Sequence, residues 1–143
     1  MTKRMKGRQE RGQSLVEIAI SFTVVMMLLA GAVDTGLAFF SYVALHDAAQ
    51  EGAVYGSMNP ADTNGIRLRI RSTSSSPVNL SDTSRVTIAN PVITGSACTG
   101  GAITVTVQYD YQIVMPLLGS VLGSQLIPLT ASVTNTILSP QCP

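Results

Sequence analysis

The sequence predicts an α+β protein: a long N-terminal transmembrane and stalk helix followed by a small antiparallel β-sheet domain. Three observations carry this reading. Residues 15–33 read LVEIAISFTVVMMLLAGAV, an apolar run with one charge; no proline interrupts the chain before Pro60; and the C-terminal half contains segments in which apolar and hydroxyl-bearing residues alternate. Composition agrees, since only 12% of the 143 residues are charged, against roughly 25% in ordinary soluble domains, while 45% are hydrophobic and none is Trp. That length leaves room for one modest domain beside the helix and none for a second folded unit.

The apolar run is long enough, at about 1.5 Å per residue, to cross a hydrocarbon core of about 30 Å. It is too long for an ordinary signal peptide, whose apolar stretch is about 7 to 15 residues. The formal net charge of +1 is unevenly distributed. Residues 1–12 carry Lys3, Arg4, Lys6, Arg8 and Arg11 against Glu10, a net +4; the remainder, four arginines against seven acids, is −3. The excess of Lys and Arg ahead of the run keeps the N-terminus in the cytoplasm and sends everything from Asp34 onward outside. The outer part offers no basic patch beyond one short Arg run, so no nucleic-acid partner is expected.

Glu17 breaks the apolar run two residues inside its start. A Glu at that depth either snorkels to the cytoplasmic edge or meets a partner's charge in the membrane, where either charge alone is costly. Asp34 reads as a residue at the outer membrane surface. Beyond it the sequence stays rich in Ala and free of Pro, so one helix from about Ser14 to Gly56 is predicted. Small residues fall four apart at Ala32 and Gly36 and again at Ala48, Gly52 and Gly56, a spacing that shares a helix face and permits close backbone approach. The same glycines also fit a C-terminal cap at Gly56 and a tolerated weak spot at Gly52. His46, the one His of the chain, and Asp47 are sequence neighbours on different helix faces and read as an exposed polar pair.

Asn59 followed by Pro60 has the chemistry of a helix start, a capping Asn with Pro at the first helical position. Residues 66–71, IRLRIR, alternate with period two, which favours a strand. The three arginines suit a solvated face, an anionic lipid or a neighbour's acids. Three later segments read as strands. In residues 85–92, Val86, Ile88 and Val92 share a face. In residues 102–113, Ile103, Val105, Val107, Tyr109, Tyr111 and Ile113 alternate with polar residues. In residues 126–138 the buried face is Ile127, Leu129, Ala131, Val133 and Ile137. Such alternation indicates an antiparallel sheet with one covered face, the cover being the outer half of the long helix or the short one. Residues 116–123, PLLGSVLG, form an apolar connection that either marks an interface or tucks under the sheet.

Cys98 and Cys142 are the two cysteines, both outside by this topology, and in an oxidising compartment two cysteines most often pair. A Cys98–Cys142 bond would close a loop of about 44 residues and contribute about 3 to 4 kcal/mol in the chain-entropy model. Zinc would need more ligands than these two and a distant His offer, so no metal and no cofactor is expected. There is no GxSxG, no HExxH and no phosphate loop, so no catalytic residue is assigned and the protein is not expected to be an enzyme.

The run Arg11-Gly12-Gln13-Ser14-Leu15-Val16-Glu17 resembles the type IV prepilin signature: a basic leader ending in Gly, then four uncharged residues, then Glu. Gly7 has Gly12 rather than an acid five residues on, which favours Gly12. Together with RGQSLVEIAISF, the small-residue segment LHDAAQEGAVY at 45–55 and the break at Pro116-Leu117-Leu118-Gly119, the chain resembles the TadE-like family. Its members are minor pilins or pseudopilins of the bacterial tight-adherence pilus. The resemblance implies cleavage by a prepilin peptidase between Gly12 and Gln13. It implies that Glu17 pairs with the new N-terminal amine of a neighbouring subunit, and that residues 66–71 form a short helix.

The implied organisation is a cleavable leader at 1–12, a transmembrane and stalk helix at 13–56, and an extracytoplasmic β-rich domain at 57–143. The implied partners are other pilins or pseudopilins, pilus assembly machinery, the prepilin peptidase and the lipid bilayer. Localisation would be the bacterial cytoplasmic membrane, single-pass, with passage to a cell-surface pilus after assembly. The alternative reading is an unprocessed single-pass protein whose outer domain binds a ligand, the spacing from Gly to Glu being coincidental.

Overall fold

A computed structural model describes residues 6–115, 119, 120 and 123–140, with side chains from residue 12 onward. Helix α1 spans Lys6–Met58, 53 residues without a break. It starts earlier than residue 14 because residues 8–11, RQER, are good helix formers and nothing before the apolar run stops the helix. Helix α2 (Thr63–Thr73) follows after a short turn. Its cap corrects the sequence reading. The capping residue is Asp62, not Asn59, and its carboxylate accepts from the Gly65 backbone N–H at 2.8 Å and from the Tyr55 hydroxyl at 2.8 Å. These two hydrogen bonds, the Gly65 one first, hold the Asp62 carboxyl below its ordinary range.

In α2 the Ile-Arg alternation belongs to a helix. Ile66 and Ile70, four residues apart, are fully buried, whereas Leu68, which a strand would bury beside them, is 69% exposed. Burying each isoleucine contributes about 1.5 to 3 kcal/mol, which outweighs the strand preference of the local pattern. The arginines take partners within the chain. Arg67 donates to Asn90 Oδ1 at 2.6 Å and Arg71 to the Leu80 carbonyl at 2.9 Å. Arg69 lies 3.8 Å from Glu51 and over the Tyr55 ring at 5.6 Å.

The sheet is antiparallel and centred on β3 (Ala102–Gln112), which pairs along its whole length with β4 (Leu126–Thr136). Its other edge carries two short strands, β1 (Val86–Ile88) and β2 (Val92–Thr94). One strand was expected there, with Val92 on the buried face beside Val86 and Ile88; Val92 is instead 60% exposed. The register explains the correction. From Ile88↔Val107 to Val92↔Thr104 the edge advances four residues while β3 steps back three. One extra residue around Pro91 acts as a bulge and turns every later side chain to the opposite face.

On the inner face Ile103, Val105 and Val107 are fully buried against Leu45, Ala48, Ala49 and Ala53 of α1, with Ala131 and Ile137 beside them. On the outer face Thr104 meets Thr134 at 2.8 Å and Thr106 meets Ser132 at 3.0 Å, a hydroxyl ladder across the directly paired positions. Pro128 is tolerated because β4 is an edge strand. The cover over the sheet is the outer part of α1, and α2 lies against α1.

Candidate functional site

The functional features lie along α1, which changes character near residue 34. From residue 12 to residue 33 no side chain is buried. Glu17 stands in this part, exposed, and makes no hydrogen bond or ion pair with the described residues. Gly12 and Gln13 lie within the continuous helix and are exposed, with nothing within 4 Å of the position a Gly12 side chain would take. Ala32 is exposed, and a side chain at Gly36 would likewise meet nothing within 4 Å.

The other three small residues sit elsewhere in the same helix and are in contact. Ala48 is fully buried. A Cβ on Gly52 would lie 2.6 Å from Ile70 Cγ1, and one on Gly56 2.8 Å from Ile103 Cδ1. Both glycines therefore let α2 and β3 approach the α1 backbone, and the upper stripe packs the helix against its own domain.

Between the two parts stands Asp34. Its side chain is packed within the protein, 6% exposed. Its carboxylate accepts from the backbone N–H groups of Val114 at 3.0 Å and Met115 at 2.9 Å and from the Tyr111 hydroxyl at 3.2 Å. One carboxylate thus gathers three donors from the end of β3 and the chain that follows it, and fixes that end of the sheet to the helix. The Tyr111 hydroxyl is held above its ordinary pKa, first by burial, then by the charge of Asp34 and the hydrogen bond to it. Neither residue was singled out as a site in the sequence. The available signal was that Asp34 is the second lone acid in a stretch otherwise uncharged from residue 12 to residue 45.

His46 and Asp47 are both exposed, as the helical spacing predicts. Among the described residues no group of three or more His, Cys, Asp and Glu is placed to hold a metal ion. Cys98 lies in the connection between β2 and β3, and among the described residues no cysteine is a free thiol. Cys142, and most of the apolar connection at 116–123, lie outside the described residues.

This arrangement defines a class: a small α+β domain built on the upper part of one helix, whose lower part is apolar, uncovered and long enough to cross a membrane. It fits a single-pass membrane protein. Within that class the chain is similar to a known family over its helix: the family model described as TadE-like protein matches residues 12–54. The match begins at Gly12, includes Glu17, Ala32, Gly36, Ala48 and Gly52, and ends before the sheet. No curated protein and no solved structure matches the chain.

Proposed function

We propose that this protein is a pilin-like structural or assembly component, a minor pilin or pseudopilin, of a tight-adherence, type IV-like pilus. It is not an enzyme. Its N-terminus faces the cytoplasm, and a prepilin peptidase removes residues 1–12 by cutting between Gly12 and Gln13. The observation that carries this reading is Glu17: a carboxylate with no partner among the described residues, five residues past a glycine, on a helix uncovered over the length of a bilayer. A buried charge without a partner is costly, and the amine freed at Gln13 of a neighbouring subunit is a partner of the right sign.

Family likeness over residues 12–54 supports the pilus setting. A Cys98–Cys142 disulfide belongs to the same reading. The loop bearing Cys98 is tied to the C-terminal tail by hydrogen bonds from the Thr99 backbone N–H (2.9 Å) and hydroxyl (3.0 Å) to the Ser139 carbonyl, close in sequence to Cys142. Non-reducing peptide mapping should recover the two cysteines in one linked fragment.

The test of function is Glu17→Leu. The variant should insert and be processed, yet fall sharply in sheared surface filaments and in cross-linked pilus complexes. Recovery at the wild-type level would remove the assembly role and favour an unprocessed, membrane-anchored binding protein, for which losing a charge from a transmembrane helix is neutral or favourable.

A further inference from the structure

The Asp34 clamp sets the height of the sheet domain above the membrane. Arg11 bars the hydrocarbon span from beginning before Gly12, and about 20 helical residues fill a core of about 30 Å. The outer boundary of the core therefore falls at residue 31 or beyond. Asp34 stands no more than about 5 Å past that boundary, within a headgroup layer of about 5 to 7 Å. Moving the span toward the C-terminus, or tilting the helix, brings Asp34 closer to the core.

The groups bonded to Asp34 are held at the same level. Val114, whose N–H reaches the carboxylate at 3.0 Å, is 71% exposed. Leu126 and Ile127, paired with Gln112 and Tyr111, bring two more exposed apolar side chains to this end of the sheet. Arg85 donates to Gln112 Oε1 at 2.7 Å and adds a cation there. On α1 itself the uncovered face remains apolar and aromatic through Phe40 and Tyr42, the chemistry of a membrane interface, and turns polar at His46 and Asp47.

We propose that this end of the sheet domain is a lipid-contacting surface: Val114, Leu126 and Ile127 enter the phospholipid headgroup layer, and the domain rests on the bilayer rather than standing off on a stalk. The occupant is phospholipid, because the clamp joins this surface to the end of the membrane span. The proposal rests on the reading that α1 crosses a membrane.

The chain has no Trp, so single-Trp variants report position without background. The full chain would be reconstituted in phosphatidylcholine–phosphatidylglycerol vesicles as Leu28→Trp, Val114→Trp, Leu126→Trp and Val92→Trp, all at exposed positions. Leu28→Trp should be quenched by lipid spin-labelled deep in the acyl chain, which tests the span alone. Val114→Trp and Leu126→Trp should be quenched by headgroup-labelled lipid and be several-fold less accessible to aqueous iodide than Val92→Trp at the far end of the sheet. If Leu28→Trp reports lipid while both lower-end variants are as open to iodide as Val92→Trp, the span stands and the lipid contact fails. Shielding from iodide without headgroup quenching means that protein covers this end, and also overturns the proposal. An unquenched Leu28→Trp removes the span and the proposal with it.

Discussion

Between residues 12 and 33 no side chain of α1 is buried, whereas Leu45, Ala48, Ala49, Gly52, Ala53, Gly56 and Ser57 all are. Both parts carry small residues four apart, and both lie in one unbroken helix. The upper set is spent on the fold of its own domain, against Ile66, Ile70 and Ile103. In the lower set Ala32 is exposed, a side chain at Gly36 would meet nothing within 4 Å, and Glu17 has no partner among the described residues. The same spacing thus serves folding where a domain covers it and is left for lipid or another subunit where none does. The two acids repeat the contrast: Asp34 is satisfied by three donors from its own chain, and Glu17 by none among the described residues.

Breaking the clamp should have the largest effect on the fold. Asp34→Ala leaves two backbone N–H groups and a hydroxyl without their acceptor at a half-buried to buried site. With a penalty of about 1 to 3 kcal/mol per unsatisfied buried group, the domain should lose about 3 kcal/mol or more, read as the denaturant midpoint in detergent. Unchanged stability would mean that water replaces the carboxylate and that the clamp does not fix the domain.

Next comes the small-residue stripe. Gly52→Leu forces a side chain into Ile70 and should destabilise by about 1 to 3 kcal/mol or more, while Gly36→Leu, with open space around it, should leave the isolated chain unchanged or slightly stabilised. Equal effects at the two positions would erase the distinction between the upper and lower parts of α1.

A smaller loss is expected for Tyr111→Phe, about 1 kcal/mol for one hydrogen bond in a clamp that keeps its two backbone donors. The smallest effect concerns acid. The Asp62 carboxyl is held below its ordinary value of 3.8, so its contribution is present above about pH 4 and is lost as the pH falls through the lowered folded value. Asp62→Asn, which keeps a capping side chain, should flatten that part of the acid unfolding curve. A curve identical to the wild type would mean that other carboxylates govern acid unfolding.

What the sequence disclosed follows from how local each cause is. β3 was legible because its two faces differ at every position from Ile103 to Tyr111. The long helix was legible because nothing in it resembles a break. Residues 66–71 were not, since Ile66 and Ile70 share a face in both a strand and a helix, and only the burial of Leu68 separates the two. The split between β1 and β2 depends on a one-residue slip against β3, which no local pattern records. The clamp at Asp34 was not legible because its partners lie 77 to 81 residues away in the chain. The signal at Glu17, a lone acid five residues beyond a glycine after a basic leader, is by contrast complete within a dozen residues.

The central claim is that the lower part of α1 is freed at its N-terminus to engage other subunits. The most direct test is the N-terminal residue and intact mass of the protein isolated from membranes of cells with an active prepilin peptidase. The account predicts a mature chain that begins at Gln13, with residues 1–12 absent. A chain that still begins at Met1 would contradict it.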